Sequence, residues 1–330
     1  MAILVARNLK AYYSITGGLG ERLHVHAVDG VNLVINEREI FGIAGESGCG
    51  KSTLIKVLYG LVKPPLTVLE GDVYYNIDDN RVHILSLDER ERRGIWWKVI
   101  SYIPQGSMSV LNPTIRIRDQ FLDVMKIHTK SFDKREALEV VEKHVQNLGL
   151  PIEVLSSYPH QLSGGMRQRV IIALATILKP RVIFADEPTT ALDVIVQRGV
   201  LEMLRRLQKE LSNTIVIVTH DMGVQAQISH RIAVMYAGKI IEVAPTMEIF
   251  KHPAHPYTKY LIASLPKIGD RAKRPSIRGR PPSLVNPPPG CRFAPRCPAK
   301  RDLCLEREPG LVEIRPGHFV ACHYHEGEEV

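Results

Sequence analysis

The sequence has no long apolar segment. No apolar run approaches the roughly 18 residues that a membrane-spanning helix requires. The longest, residues 170–178, is interrupted by Thr176 and flanked by basic residues. The N-terminal MAILVARNLK lacks the basic segment followed by an apolar core that marks a signal peptide. We therefore expect a soluble cytoplasmic chain that meets a membrane only through a partner.

Cysteine is scarce, and the 5 cysteines among 330 residues exclude a disulfide scaffold. Four of them lie between residues 291 and 322, spaced C-x5-C-x6-C-x17-C. In a reducing compartment such a group indicates metal or redox chemistry more than disulfides. The close C-x2–4-C pair of most structural zinc sites is missing. We expect the remaining cysteine, Cys49, to act only as a small side chain, and not as a nucleophile or a metal ligand.

The charge is not balanced along the chain. The net charge is +8, yet residues 267–301 hold ten Lys or Arg and one acid. A basic run can bind nucleic acid or an anionic membrane surface. This one is not interleaved with a series of aromatic residues that could stack on bases. A solvated linker, or a face around an anionic cofactor, is therefore the simpler interpretation.

Strand and helix patterns alternate over the first 260 residues. Residues 39–44, 181–185 and 214–219 are short apolar runs, as expected of strands buried in a parallel sheet. Residues 196–211 carry a helical apolar stripe, so the order predicts an α/β layer fold. Residues 232–243 are typical of a hairpin, which we expect at the edge of the sheet.

Two segments depart from this alternation. Residues 107–160 are charged, have helical periodicity and contain no strong strand pattern, which predicts a helical insertion. Residues 281–298 contain seven prolines, which excludes regular helix or central strand there. The tail has few apolar residues with which to build a core, so we expect it to require an external staple.

A phosphate-binding loop is indicated by GESGCGKS, residues 45–52, because it lies between a buried strand and an amphipathic helix. Backbone N–H groups of such a loop, together with the helix N-terminus, surround phosphate oxygens. Lys51 would contact the β- and γ-phosphates, and Ser52 would ligate Mg²⁺. The glycine-rich turn without a ligand is the weaker interpretation.

Two carboxylates follow the buried strand at residues 181–185. Asp186 can hold Mg²⁺ through water, and Glu187 can polarise an attacking water. His220 ends the next strand pattern, at the edge where phosphates bind in such sheets.

The stretch LSGGMRQR, residues 162–169, resembles the signature motif of the ATP-binding cassette (ABC) superfamily. The other landmarks occur in that superfamily's order: Gln105 in the Q-loop, Asp193 in the D-loop and His220 as the switch histidine. The resemblance covers roughly residues 3–260. It implies a P-loop NTPase with a mainly parallel core sheet, an antiparallel edge sheet and a helical subdomain at about 107–165.

The resemblance also implies roles for individual residues. The residues expected to bind ATP are Tyr13, Gly45, Ser47, Gly48, Gly50, Lys51, Ser52 and Thr53. Those expected at Mg²⁺ are Ser52, Gln105 and Asp186, and those expected to act in hydrolysis are Glu187, His220 and Gln105. Tyr13 would stack on adenine, although Tyr12 is adjacent and an edge-strand aromatic is the alternative. Ser163, Gly164 and Gly165 would complete the ATP site of a second, head-to-tail cassette.

Four further stretches are similar to the ATPase subunits of oligopeptide/dipeptide ABC importers: SVLNPTIRI, YPHQLSGG, HPAHPYTKYLIASLP and GCRFAPRCPAKRDLC. Gln161 stands where that family often has Glu. The resemblance implies a second, related ATPase subunit, two transmembrane permease subunits, an extracellular solute-binding protein and a place at the cytoplasmic face of the membrane. Other members of this group transport sugars or nickel, so the solute stays open. A soluble ABC ATPase acting on nucleic acid or ribosomes is the alternative, which a single cassette without a long coiled coil disfavours.

The same resemblance bears on the tail, because some of these subunits carry a [4Fe–4S] cluster there. We predict a cluster at Cys291, Cys297, Cys304 and Cys322. Zinc, with help from His318, His323 or His325, is one alternative; free thiols, a disulfide or a redox-sensing module are others. The predicted domains are 1–260, the nucleotide-binding domain, and 261–330, an accessory region.

Overall fold

A computed structural model of the chain describes residues 1–18, 20–78, 80–106, 110–129, 131–265 and 279–325. The strands are β1 (Ala2–Thr16), β2 (Arg22–Asn36), β3 (Ile40–Ala44), β4 (Leu66–Ile77), β5 (Asn80–His83), β6 (Ile100–Ile103), β7 (Val182–Asp186), β8 (Thr214–Val218), β9 (Arg231–Tyr236), β10 (Lys239–Pro245), β11 (Val312–Arg315) and β12 (His318–Val320). The helices are α1 (Lys51–Tyr59), α2 (Glu89–Ile95), α3 (Ile117–His128), α4 (Lys134–Asn147), α5 (Gly164–Thr176), α6 (Val194–Leu211), α7 (Met222–Ile228), α8 (Thr246–Lys251), α9 (Pro256–Ala263) and α10 (Leu303–Glu306).

The chain divides into two compact units. One comprises Met1–Ser86 together with Val218–Val330, and the other comprises Leu87–Ile217. The described part of the C-terminal tail therefore belongs to the same unit as the phosphate loop. The predicted boundary at residue 260 stays a prediction.

An antiparallel sheet in the first unit has the strand order β2-β1-β4-β5. Its two longest strands, β1 and β2, pair over 15 residues each. Buried side chains such as Leu4, Leu9 and Ala11 lie on one face of β1, with bulges between them. This sheet matches the predicted antiparallel edge sheet.

A second group of strands in this unit has the order β11-β12-β10-β9-β3. β3 and β9 are parallel, whereas β9 and β10 form the predicted hairpin. Its two turn residues, Ala237 and Gly238, have φ angles of 46° and 86°, as the tight turn between twisted strands requires. The expected position of this hairpin at the sheet edge is wrong. The tail supplies β12 and β11, which extend the sheet beyond β10.

The second unit contains three strands in the order β8-β7-β6, and β6 and β7 are parallel. Every residue of β7 and β8 is buried, as their continuous apolar runs predict. α6 buries one apolar stripe, which includes Val200, Leu204 and Leu207. Between β6 and β7, the residues that the structure describes form α3, α4, α5 and short 3-10 turns but no strand. The described part of the segment predicted to be helical is therefore helical, and its residues 107–109 and 130 lie outside the described ranges.

The described tail, residues 279–325, packs on the sheet of its own unit. Phe293 is 1% exposed and lies among the rings of Tyr236 and Tyr257, with centroids 5.3 and 5.5 Å away. Within residues 281–298 the only helical element is a single 3-10 turn at Ala294–Arg296, so the exclusion of regular helix there is confirmed. Packing on the core thus contributes to the fold of the tail, which the sequence predicted to rely on a staple.

None of the helices in the described ranges combines the length and the apolarity needed to cross a membrane.

Candidate nucleotide site

The phosphate loop connects β3 to α1, and two of its glycines are sterically required. Gly45 has φ 151° and Gly50 has φ 106°, a range that residues with a side chain rarely adopt. A Cβ atom at Gly45 would lie 2.1 Å from the Met235 carbonyl oxygen. At Gly50 it would lie 1.9 Å from the Ala27 carbonyl oxygen. The loop can therefore take this path against β9 and β2 only with glycine at both positions.

Lys51, the first residue of α1, folds its side chain back into the loop. Its Nζ donates hydrogen bonds of 2.8 Å to the Gly45 carbonyl oxygen and 2.9 Å to that of Glu46. It also lies 3.7 Å from Sγ of Cys49. Burial raises the pKa of the Cys49 thiol although Lys51 opposes the shift, so Cys49 stays protonated at neutral pH. A buried ammonium inside a loop of backbone N–H groups forms a positive pocket suited to phosphate.

The two neighbouring tyrosines of β1 point to different partners. The Tyr13 hydroxyl lies 3.3 Å from Oγ1 of Thr53, in the first turn of α1. Tyr12 stacks on His26 with ring centroids 4.1 Å apart and donates a 2.7 Å hydrogen bond to Asp29. The Tyr13 ring therefore lies beside the start of α1, whereas the Tyr12 hydroxyl is directed to Asp29.

In the second unit, the carboxylates that follow β7 are held by hydrogen bonds. Tyr102 on β6 donates 2.9 Å to Oδ2 of Asp186. Oε2 of Glu187 accepts from Gln105 Nε2 at 3.0 Å and from Thr190 Oγ1 at 2.9 Å. Glu187 has φ 47°, a strained conformation for a residue with a side chain. Its carboxylate is therefore fixed in orientation, as a group that must align a water molecule requires.

The predicted signature residues form the start of α5. Ser163 is the exposed N-cap, and its Oγ accepts a 3.3 Å hydrogen bond from the Met166 N–H. A Cβ atom at Gly165 would lie 2.5 Å from Cγ1 of Val196, so a larger residue cannot fit without movement. A hydroxyl beside a helix N-terminus is chemically suited to an anion.

Two further predicted residues begin or precede helices. Asp193 is the N-cap of α6, where its Oδ1 accepts from the N–H groups of Ile195 and Val196 at 3.1 and 2.9 Å. His220 follows β8 and is exposed.

The predicted metal site in the tail is not formed. Within the described ranges, no three His, Cys, Asp or Glu side chains are grouped so that they could hold a metal ion. The four tail cysteines are free thiols, and they lie near enough to influence one another electrostatically. Burial raises the pKa of Cys291 to about 11 and also raises the pKa of Cys322; backbone hydrogen bonds oppose both shifts, and the neighbouring cysteines add to them. As placed, the side chains do not fit a [4Fe–4S] cluster or zinc.

The sequence matches known families in two regions. Residues 28–190 match the ABC transporter family, and residues 241–304 match the family described as oligopeptide/dipeptide transporter, C-terminal region. The chain is 40% identical over 329 residues to the dipeptide transport ATP-binding protein DppD of Caldanaerobacter subterraneus subsp. tengcongensis, covering 99% of this chain and 98% of that protein. It is 41% identical to the putative oligopeptide transport ATP-binding protein YkfD of Bacillus subtilis, covering 100% and 97%. The chain belongs to the oligopeptide/dipeptide family of ABC transporter ATP-binding proteins.

Solved structures agree with this family assignment. The dimeric ATP-binding cassette MJ0796, in a post-hydrolysis state bound to ADP and Pi, is 29% identical with a TM-score of 0.62. The match covers 74% of this chain and 99% of that cassette. A second dimeric structure of MJ0796 has a TM-score of 0.63. The fold is therefore that of an ABC cassette, the chain is an ABC-type ATPase, and ATP and Mg²⁺ are the ligands expected of it.

Sequence reasoning missed some residues of the candidate site. Tyr102 and Thr190 orient the two carboxylates, and each lies within three residues of a predicted motif residue. Thr190 follows Glu187 by three residues, a spacing at which a turn can bring the Thr190 hydroxyl to the Glu187 carboxylate. The ion pair between Arg296 and Glu46 joins positions 250 residues apart, and no local pattern could indicate it.

Proposed function

We propose that this ATPase couples ATP binding and hydrolysis to the import of oligopeptides or dipeptides. The observation that carries the nucleotide part is the phosphate loop, where the Lys51 ammonium lies 2.8 Å from the Gly45 carbonyl oxygen inside a glycine-dependent turn. The peptide part is supported by relatives whose names state dipeptide or oligopeptide transport.

For ATP binding, the proposed residues are Tyr13, Gly45, Ser47, Gly48, Gly50, Lys51, Ser52 and Thr53. The loop amides and Lys51 neutralise phosphate charge, and Tyr13 stacks on adenine. The hydrogen-bonding distance between Tyr13 and Thr53 supports this role, since it puts the ring next to the helix that begins at the loop.

For hydrolysis, we propose that Glu187 orients and deprotonates the attacking water. The residues proposed to hold Mg²⁺ are Ser52, Gln105 and Asp186. Two hydrogen bonds to Glu187 support this role, because a fixed carboxylate aligns water better than a mobile one. Mg²⁺, when bound, neutralises the charge that develops on the phosphates. His220 would contact the γ-phosphate.

A second cassette is needed to complete each ATP site. We propose that Ser163, Gly164 and Gly165 contact the nucleotide held by that cassette, which is a related but different subunit. Exposure of Ser163 supports this proposal, as does the exposure of Val194 and Ile195 beside Asp193, 79% and 85%. Apolar side chains this exposed at a helix start are suited to burial by a partner.

We further propose two transmembrane permease subunits and an extracellular solute-binding protein as partners, with this chain at the cytoplasmic face of the membrane. The match to the oligopeptide/dipeptide transporter C-terminal region supports this assembly.

We propose a [4Fe–4S] cluster at Cys291, Cys297, Cys304 and Cys322, with zinc as the alternative. The spacing of the cysteines and their electrostatic proximity support it, and their present arrangement does not fit it. No step of ATP hydrolysis is assigned to it. Iron and acid-labile sulfide in anaerobically purified protein would test it, since about four of each per chain are required; metal-free protein would exclude both metals.

Nucleic acid is not favoured as a partner. Of the basic stretch 267–301, residues 267–278 lie outside the described residues. Arg292 and Arg296 are buried and paired with Asp29 and Glu46, so they do not form a cationic surface.

Reconstitution tests the transport proposal. The chain is co-purified with its permease subunits and second ATPase, placed in liposomes, and supplied with the binding protein and labelled peptides. We expect peptide accumulation that requires ATP and is lost with Glu187→Gln. Uptake of a sugar or nickel instead would contradict the peptide assignment, and salt-sensitive binding to RNA without any uptake would favour the soluble alternative.

A further inference from the structure

A buried arginine of the tail forms an ion pair with the phosphate loop. Arg296 Nη1 and Nη2 lie 3.0 and 3.2 Å from Oε2 and Oε1 of Glu46, in a two-pronged arrangement. The Arg296 side chain is only 5% exposed. Glu46 is the second residue of GESGCGKS, directly after Gly45. Such a two-pronged guanidinium–carboxylate pair fixes orientation as well as charge.

Aromatic residues hold both partners of this pair. The Tyr236 hydroxyl accepts a 3.2 Å hydrogen bond from Arg296 Nη1. The Glu46 N–H donates 2.9 Å to the Tyr257 hydroxyl, so the backbone and the side chain of Glu46 are both restrained. Pro281 and Pro282 line a small cavity together with Glu46, Ser47 and other loop residues, which places the proline-rich segment on this side of the loop.

The charge of Glu46 makes its pairing important. A carboxylate in a phosphate loop has the same sign as the ligand, and it opposes the positive field of Lys51 and the loop amides. At about 10 Å and an effective dielectric constant near 20, one unit charge changes phosphate affinity by roughly 10-fold. A paired Glu46 costs far less, because the guanidinium cancels most of that field.

We propose that Arg296 is a positioning residue for ATP binding: it acts through Glu46, whose carboxylate it orients and neutralises so that this negative charge does not oppose the phosphates. The proposal rests on the proposed role of residues 45–53 in ATP binding. In this proposal the C-terminal tail influences the affinity for nucleotide through a single side chain, that of Arg296.

Other contacts hold the tail independently of Arg296. Arg292 pairs with Asp29 and donates to the Ala237 carbonyl oxygen, and the His26 N–H donates 2.8 Å to the Leu284 carbonyl oxygen. His318 Nε2 lies 2.8 Å from the buried Glu242 carboxylate. Loss of Arg296 alone should therefore leave the tail docked.

The test compares full-length variants by titration with a fluorescent ATP analogue in the presence of Mg²⁺. Arg296→Met removes the charge but keeps an apolar stem of similar length, Arg296→Lys keeps the charge, and Glu46→Gln removes the opposing carboxylate. The double variant Arg296→Met/Glu46→Gln removes both. Arg315→Met is the matched control, because Arg315 pairs at 3.4 Å with Glu248 in an exposed tail contact away from the loop. Lys51→Ala reports separately on whether the loop binds nucleotide.

We expect Arg296→Met to weaken binding roughly 10-fold at low salt, by the Coulomb argument above, with the defect shrinking as salt is raised. Arg296→Lys should recover part of the affinity. Glu46→Gln should bind more tightly than the wild type, by up to roughly 10-fold at low salt, because it leaves the Arg296 charge uncancelled. The double variant, in which both charges are absent, should bind near wild-type affinity, and Arg315→Met should be unchanged.

Each other outcome overturns the proposal. Wild-type affinity in Arg296→Met would show that the pair does not influence nucleotide. A double variant as weak as Arg296→Met, or a tail that limited proteolysis releases in Arg296→Met, would show a purely structural role. Normal binding by Lys51→Ala would instead refute the proposed phosphate site, whatever Arg296 does.

Discussion

Gln105 donates a 3.0 Å hydrogen bond from Nε2 to Oε2 of Glu187. This contact links the residue predicted for the Q-loop directly to the residue predicted to act on water. An amide also has an oxygen, so this hydrogen bond leaves Gln105 an acceptor for the Mg²⁺ contact that we propose. A movement of Gln105 would therefore break its hydrogen bond to Glu187 and free the Glu187 carboxylate to change its orientation.

Glu187→Gln is expected to reduce ATP turnover by at least about 10²-fold, in the range typical of a general base. The amide keeps the shape and can accept the hydrogen bonds of Gln105 and Thr190, but it cannot take a proton. ATP affinity should be unchanged, because the phosphate loop is intact. Phosphate release by the assembled transporter and nucleotide titration measure the two quantities.

Glu202→Gln is the control, since Glu202 lies on the exposed face of α6 and its side chain is 71% exposed. It should hydrolyse ATP at the wild-type rate. Wild-type turnover by Glu187→Gln itself would remove Glu187 from the mechanism.

Lys51→Ala is expected to weaken nucleotide binding by at least about 10-fold, because a buried cation that faces phosphate is lost. Calorimetric titration with Mg·ATP measures the change. Lys56→Ala, on the same helix but beyond the loop, should bind normally. Equal affinities for Lys51→Ala and the wild type would contradict the proposed contact.

Tyr13→Ala is expected to weaken ATP binding by roughly 5- to 150-fold, which corresponds to about 1–3 kcal/mol for stacking on one base. Tyr13→Trp should retain affinity, because it preserves a stacking surface. Tyr12→Phe should also retain it, since that change removes only the hydrogen bond to Asp29. The assignment fails if Tyr12→Phe loses affinity while Tyr13→Ala does not.

The sequence predicted those elements whose structure follows from their local pattern of apolar residues and glycines. β7 and β8 are continuous apolar runs, and their full burial follows from that pattern. The loop before Lys51 follows from glycine spacing between strand and helix. The roles of these residues toward ATP stay predictions.

The sequence could not predict the contacts made between distant segments. β12 (His318–Val320) pairs with β10, and Phe293 packs on Tyr236, because partners elsewhere in the chain bury them. The apolar content of the tail alone therefore predicts that it cannot form a core, because the residues that bury it lie elsewhere in the chain. The four tail cysteines are a second case, since their clustering in sequence indicates a shared metal, whereas the part of the chain that the structure describes contains no group of side chains arranged to hold a metal ion.

The isolated chain is expected to hydrolyse ATP slowly. Ser163 at the start of α5 would serve a partner's nucleotide, so a single cassette lacks part of its own site. Activity should rise when the second ATPase and the permease subunits are added, and Ser163→Arg should prevent the rise. A chain shown to be monomeric by light scattering with ATP bound, yet as active as the complex, would contradict the shared site.

The last prediction concerns His255, the N-cap of α9, whose Nδ1 accepts a 3.0 Å hydrogen bond from the Tyr257 N–H. Burial lowers the pKa of His255 to about 4; Glu242 opposes this shift, and the nearby His325 and Lys259 add to it. The side chain is thus neutral in the native protein at pH values where the unfolded chain, with a His pKa near 6.5, is protonated.

The sign of the effect follows from proton binding. Between pH 6.5 and 4 the unfolded state binds more protons at His255, so the free energy of unfolding falls as the pH falls. A difference of about 2.5 pKa units corresponds to about 3 kcal/mol by pH 4. Above pH 7 the effect is absent.

His255→Asn should remove this dependence, because Asn keeps a cap acceptor for the helix but does not titrate. Urea unfolding of both proteins from pH 7 to 4 measures it, and wild-type stability should fall more steeply by about 3 kcal/mol. His252→Asn, at an exposed position three residues earlier, should follow the wild type. Parallel stability curves for His255→Asn and the wild type would show that His255 titrates alike in both states, which would contradict its burial as a neutral ring.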